Sequence, residues 1–425
     1  MTQLESLKRK IVQKIASAHD VGSALSAYAQ CWWAIPEYKF VFGTSSGGIP
    51  GFAVNRRFSG GARVRSLFPD DHVIVLDPET LKSIKLGAAT YPVDYSISLD
   101  TNAFSYLKPY IIGKMGRLPD DFVEVFDFIA REDVRVDGMP YLLENLGGTN
   151  LQDKKKAAHV FESIKAYEVL RTIDGAWLHK HGEVRSKLDE ATLIKRAQEM
   201  MSRLYSALDD RNTMESLRDR VSYLYVSLLQ LALIQLQYKT WSTDRKVEAY
   251  IEFCHFRLAT INARDMVLSR EYFKRGQNLK FFGRIQSGRA DLLDILKNMA
   301  WDMFHIRQLE SAMTMRPDPG ARYFFPSLLT YDQDLIEVMD LCPLRSIAFT
   351  SNEADIMPIY HGDLDALISS DPEDIATVKS KYFSDAAAND RIHRRGDACS
   401  ALPGIIADLE EQLVAFGVKA GRPIR

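Results

Sequence analysis

Between about residues 153 and 316 nearly every segment places apolar side chains at i, i+3, i+4 and i+7, the rhythm of a helix with one buried face. "DKKKAAHVFESIKAYEVLRTID", "LDEATLIKRAQEMMSRLYSALDD", "MESLRDRVSYLYVSLLQLALIQLQYKTW" and "RKVEAYIEFCHFRLATINARDMVLSREYF" all keep it. No repeat of about 20 to 50 residues links them, so a solenoid of copied units gains no support. On either side of this block short apolar runs alternate with helical ones, as in an α/β layer with a mostly parallel sheet. The simplest architecture is an α/β domain that carries a large helical insertion.

At 425 residues the chain exceeds one ordinary core, and two or three domains, or one with large insertions, are expected. A net charge of −2 gives no global basic field, so any nucleic-acid binding must use a local patch. Cys31, Cys254, Cys342 and Cys399 are far apart with no CxxC pair, which signals neither a thiolate zinc site nor a disulfide framework and fits a reduced cytoplasm. The N-terminus is amphipathic and lacks the pattern of a secretory signal. The most apolar run, "VSYLYVSLLQLALIQLQY", contains two Ser and three Gln and reads as a buried helix, not a membrane span.

Residues 3 to about 31 are helical in period. "YKFVFGTSSGGIPGFAVNRRFSGGARVRSLFPDDHVIVLD" then breaks into short β-like runs at Gly pairs and Pro. "GTSSGG" lacks the Lys-Ser/Thr ending of a phosphate loop and reads as a turn.

The chemistry is carried by acids. "YSISLDTNAFSYL" is a strand that stops on Asp100 and passes through Thr101 and Asn102 into a helix. Asp, Thr and Asn cap helices by accepting unpaired N–H groups. The same device recurs in "SLLTYDQDLIEV", where an apolar strand is followed by Thr330, Asp332, Asp334 and a helix. "GMPYLLEN" reads as a short apolar strand that ends on Glu144. Asp302 stands among Trp301, Met303, Phe304, Ile306 and Leu309 on an apolar helix, where an unpaired carboxylate is expensive.

In open α/β sheets ligands bind at the carboxyl ends of strands. Acids converging there repel, by roughly 4 kcal/mol for two charges about 4 Å apart at an effective dielectric of about 20. Divalent cations remove that cost, and an oxygen-only donor set selects Mg²⁺ or Mn²⁺ over Zn²⁺.

"ISLDTNAFSYL", "PYLLEN", "AWDMFHIRQLE" and "LLTYDQDLIEV", taken in this order, resemble the PIN-domain nucleases over about 95–150 and 287–341. The resemblance implies a PIN-like parallel sheet sandwiched by helices, and Mg²⁺- or Mn²⁺-dependent cleavage of RNA, or of flap-like DNA in relatives. It implies that Asp100, Glu144, Asp302 and Asp332 hold the metal, with Asn102 in support of the first; Asp334, the second acid after the last strand, is a further candidate ligand. The stretch between the second and third acids is far longer than in small members, and Glu168 or Glu252 could replace Glu144. The expected layout is an N-terminal α+β accessory region over 1–90, a PIN-like catalytic domain over 91–345 with its helical insertion at about 153–286, and an α-rich extension over 346–425.

Supporting roles fall to Thr330 and to His305, which lies three residues after Asp302 on the same helical face. "HKH" at 179–181 reads as a solvated turn in a polar loop. From Arg264 to Arg289 cations (Arg270, Lys274, Arg275, Lys280, Arg284, Arg289) interleave with Tyr272, Phe273, Phe281 and Phe282, a pattern that suits a single-stranded backbone and its stacked bases. Arg394 and Arg395 form a second, weaker patch. These features lead to a metal-dependent endonuclease acting on RNA, in the manner of toxin or phage-defence effectors. The alternatives are a PIN-like scaffold that binds nucleic acid or protein without cutting, and a metal-dependent phosphatase on a similar sheet.

Overall fold

The computed structural model describes residues 3–45, 49–50, 55–70, 72–85, 92–148, 151–350 and 355–419. The second half of "GTSSGG", residues 46–48, lies outside them. The strands are β1 (Tyr38–Thr44), β2 (Ile49–Pro50), β3 (Arg56–Arg57), β4 (Arg63–Ser66), β5 (His72–Leu76), β6 (Val93–Leu99), β7 (Val136–Asp137), β8 (Tyr323–Thr330), β9 (Leu344–Thr350) and β10 (Ile356–Tyr360). They form two five-stranded sheets of order β10-β9-β1-β5-β2 and β3-β4-β8-β6-β7.

The chain divides into two compact units, one of Met1–Met214, Ile306–Ile336 and Pro343–Ile359, the other of Glu215–His305, Glu337–Cys342 and Tyr360–Arg425. This departs from the expected split at residues 90 and 345. In the first sheet β1 pairs antiparallel with both β5 and β9. In the second, β4 pairs antiparallel with β8. The N-terminal residues expected to stand apart therefore supply strands to both sheets, and backbone pairing decides the unit. The expectation of a mostly parallel sheet holds only for β7-β6-β8, whose two pairings are parallel.

In the first unit the helices Gln3–Ala16 and Val21–Cys31 bury Val12, Ile15, Ala24 and Tyr28 against Phe40, Phe42 and Leu76. Strand β8 is buried along its whole length. Its Pro326 has no N–H to give, and the β4 ladder begins only at Ser327, so the proline sits where that side of the strand is an edge. The two sheets are tied by Asp77, at the end of β5, which accepts from Tyr323 Oη at the start of β8 (2.6 Å) and from Arg322 (3.0 Å).

"GMPYLLEN" is not a strand. The strand is the two-residue β7 before it, and Met139–Gly147 is a helix with Pro140 in its first turn, where a missing N–H costs nothing. This helix packs Tyr141 on Phe104, ring centroids 4.3 Å apart. Between β7 and the helix, a Cβ on Gly138 would lie 2.3 Å from the Phe104 ring. Gly138→Ala is expected to destabilise this unit by about 1–3 kcal/mol through overpacking, read as a drop in the urea midpoint. "HKH" also differs from expectation, because it ends the helix Gly175–His181, with the His181 ring 4.0 Å from that of Trp177.

The second unit is helical in its described residues. Its helix Arg211–Gln237 is buried nearly all round from Leu224 to Leu236, as its continuous apolar composition requires. Among the described residues no helix is long and apolar enough to cross a membrane.

Candidate functional site

The register Leu99↔Leu329 aligns the carboxyl ends of the parallel strands β6 and β8, so Asp100 and Asp332 leave the same edge of one sheet. Both follow the capping chemistry expected of them. Asp100, 7% exposed, accepts the N–H of Ala103 at 2.6 Å and starts the helix Thr101–Ile111. Asp332 Oδ1 accepts the N–H groups of Asp334 (2.8 Å) and Leu335 (3.0 Å). Thr330 is fully buried, and its hydroxyl accepts the Asp332 N–H at 3.0 Å, which fixes the turn that carries the acid. The side chain of Asn102 is exposed on the first turn of its helix.

Glu144 sits inside a helix, not at a strand end as expected, because the strand before it is two residues long. The acid at the strand end is Asp137, opposite Ser98 of β6. Its carboxylate accepts from Ser98 Oγ (3.0 Å), from Ser96 Oγ, and from the N–H of Met139 (3.0 Å). With three donors it joins strand to helix and is already satisfied. Of the alternatives to Glu144, Glu168 is buried between Arg171 (3.4 Å) and Arg196 (3.6 Å), a structural ion triad. Glu252 is exposed in the second unit and faces Lys381 at 4.0 Å. Asp302, half-buried, and His305, 4% exposed, also belong to the second unit, on the helix Leu292–Ala312. Among the described residues no group of three or more His, Cys, Asp or Glu side chains is placed to hold a metal ion.

An acid that spacing did not single out lies at the same sheet edge. Asp121 is 2% exposed and precedes the helix Phe122–Ile129, yet its side chain does not cap that helix. It turns instead to the loop before β4, where Oδ2 accepts the N–H groups of Gly60 (3.0 Å) and Ala62 (2.9 Å). The same loop is held from the helix Gln333–Leu341 that follows β8, since Gln333 donates to the carbonyl of Gly61. Oδ1 of Asp121 and the hydroxyl of Tyr331 are both buried without a hydrogen-bond partner. Burial, then the charges of Asp121 and Asp100, push the Tyr331 phenol far above its ordinary range, so it keeps its proton. The sequence signal for Asp121 was "PDDF", which is indistinguishable from a plain helix start.

The expected basic interface is corrected in its main feature. Tyr272, Phe273, Phe281 and Phe282 are core residues, with Tyr272 stacked on Phe282 at 4.4 Å, so none presents a face to a base. Arg270 is taken by Asp244 (2.8 Å), Arg275 by Glu337, and Arg289 by Asp291 (2.7 Å). Lys274 and Lys280 are exposed and Arg284 is half-buried. Arg394 donates to the carbonyls of His255 and Phe256 and closes the helix Thr243–Phe256, a structural duty. A different cationic feature borders the acids: Arg57 and Arg63 face each other across β3 and β4, and Arg63 lies opposite Thr330 of β8. Neither carries an acidic partner among the described residues. Like charges directly opposed on a ladder are destabilising, so this pair is one that fold stability alone would not select.

No protein-family model matches the chain, and no curated protein or solved structure does either.

Proposed function

We propose that the chain is a metal-dependent nuclease of the PIN-like class that acts on phosphodiester bonds, most readily those of RNA. The observation that carries this reading is the placement of Asp100 and Asp332 at the carboxyl edge of two adjacent parallel strands, in register at Leu99↔Leu329. This is the location where open α/β sheets bind ligands. The donors offered there are hard carboxylate oxygens, which suit Mg²⁺ or Mn²⁺ and not a thiolate-seeking metal. When bound, such an ion supplies charge neutralisation and an acidified water for in-line attack on phosphorus.

The chain's own residues do the positioning. Thr330 locks the turn that carries Asp332, and the Ala103 N–H orients Asp100. Arg57 and Arg63 supply cations for the phosphate backbone, contacts that fix register without reading sequence.

The test is cleavage of labelled RNA and single-stranded DNA with Mg²⁺, Mn²⁺ or EDTA, comparing wild type with Asp100→Asn, Asp332→Asn and Asp302→Asn. Metal-dependent cutting that disappears in the first two variants supports the enzyme. RNA bound equally by all forms and cut by none supports a scaffold. The double change Arg57→Glu, Arg63→Glu is expected to weaken RNA binding and to flatten its salt dependence by about 1.4 in the log–log slope, two phosphates at about 0.7 each. Fluorescence anisotropy across a salt series reads this directly, and an unchanged slope removes the hairpin from the interface.

A further inference from the structure

A cleft of about 590 Å³ opens in the first unit where the loop after the helix Phe122–Ile129 meets the end of the helix Lys154–Arg171. Ile129, Leu170 and Ile173 are buried along it and give it an apolar floor. Its described lining carries four cations, Arg131, Arg135, Arg171 and Lys187, against one acid, Glu132. Such a volume, with an apolar floor and a few converging polar groups, is typical of a small-molecule site. Arg135 pairs with Asp94, the second residue of β6, whereas Asp100 follows the last. About 20 Å of strand separates those two acids, so the cleft lies toward the opposite end of β6 from the proposed catalytic edge.

Four like charges around one cavity repel, and the fold compensates them only in part. Asp133 holds Arg131, and Glu132 holds Lys187 (3.0 Å), at exposed positions where ion pairs contribute little. Arg135 meets Asp94 through Nη1 (2.6 Å), and Arg171 meets Glu168 through Nη1 (3.4 Å). Among the described residues the other N–H groups of these two guanidinia meet no carboxylate. Glu168 also serves Arg196, so one negative charge answers two positive ones. Aromatic rings steady two of the arginines: Arg171 lies 5.7 Å from the centre of Tyr167, and Arg131 5.9 Å from that of Phe128. A guanidinium held in place presents a fixed fork of donors that matches phosphate oxygens.

A second cleft of about 490 Å³ adjoins the first and shares Ala130, Arg131 and Glu132 with it. It adds ring and apolar surface from Tyr110, Leu178 and His179. The cations thus converge on one cleft with a ring-lined neighbour, an arrangement for a compact anion with a flat body and not for a long backbone.

We propose that the two clefts bind a nucleoside diphosphate, its phosphates among Arg131, Arg135, Arg171 and Lys187 and its base beside Tyr110 and His179. The site is independent of the nuclease reading, since no residue of the catalytic edge enters it.

The probe is mant-ADP, a fluorescent nucleoside diphosphate, titrated into the full chain in EDTA and followed by anisotropy. Wild type and Asp100→Asn are expected to bind it alike, with ADP displacing it and adenosine about tenfold or more less effective. The double change Arg131→Ala, Lys187→Ala breaks only exposed ion pairs. It is expected to leave the melting temperature unchanged and to weaken mant-ADP about tenfold or more. Glu132→Gln removes the acid of the lining and is expected to tighten binding, a sign that damage to the fold does not produce. No saturable binding by wild type, or binding unchanged in the double variant, overturns the inference. Adenosine or inorganic pyrophosphate competing as well as ADP overturns it too, because one removes the phosphates from recognition and the other the base. Displacement by a single-stranded RNA but not by ADP assigns the cleft to nucleic acid and equally refutes the proposal.

Discussion

Asp100→Asn is expected to lower metal-dependent cleavage by at least about 100-fold while leaving the chain folded. Loss of an outer partner of a metal ligand already costs about 10- to 100-fold, and a direct ligand stands at or above that range. The substitution separates two duties of one side chain. Asp100 caps the helix Thr101–Ile111 through the Ala103 N–H, and asparagine caps about as well as aspartate. Melting should therefore move by less than about 1 kcal/mol, whereas Asp100→Ala also loses the cap, at about 1 kcal/mol. The informative measurements are single-turnover cleavage in Mn²⁺ and thermal melting on the same preparations. If the asparagine variant cuts as fast as wild type at the same melting temperature, Asp100 is a helix cap and the nuclease proposal fails. Asp332→Asn obeys the same logic, because its Oδ1 holds the Asp334 and Leu335 amides.

Asp77→Ala is expected to cost about 3 kcal/mol or more of stability, because it breaks a buried charge pair. Asp77 is 3% exposed and is engaged on both oxygens. Oδ1 accepts the Thr80 N–H (2.6 Å) and Arg322 (3.0 Å), and Oδ2 accepts the Tyr323 hydroxyl (2.6 Å). Alanine would leave a buried phenol without its acceptor and uncap the helix Pro78–Lys85. Arg322 keeps Glu79 at 3.0 Å, which holds the loss toward the lower end of the range for broken buried pairs. Lys39 lies 5.2 Å from the Tyr323 ring centre and would face a site stripped of its anion, where burial already lowers its proton affinity. Asp77→Asn keeps one oxygen for the Thr80 cap and places an amide N–H beside the Tyr323 hydroxyl, which can turn to accept it, so it should cost less than alanine. Urea midpoints at constant slope measure both. An alanine variant within about 0.5 kcal/mol of wild type would show that the two sheets are held by apolar packing alone.

What the sequence determined by itself is local in origin. Apolar periodicity was enough for the helical block, and the helix Arg211–Gln237 is buried as its composition demands. Strand–acid–helix punctuation was enough for Asp100 and Asp332, because a cap uses amides two or three residues away. The second strand of that series escaped notice because β7 has two residues, too few for alternation to register, so the strand-end acid Asp137 was passed over for Glu144. Tertiary structure alone decided the rest. Whether Tyr272 and Phe282 meet bases or one another depends on the surface opposite them, and the core takes both. That "PDDF" hides a buried acid follows from amides about sixty residues earlier in the chain, at Gly60 and Ala62. The pairing of Arg57 with Arg63 beside Thr330 follows from a hairpin meeting a strand more than 250 residues later. Charges and hydrogen bonds act through space, so partners that distant leave no periodic trace in the chain that carries them.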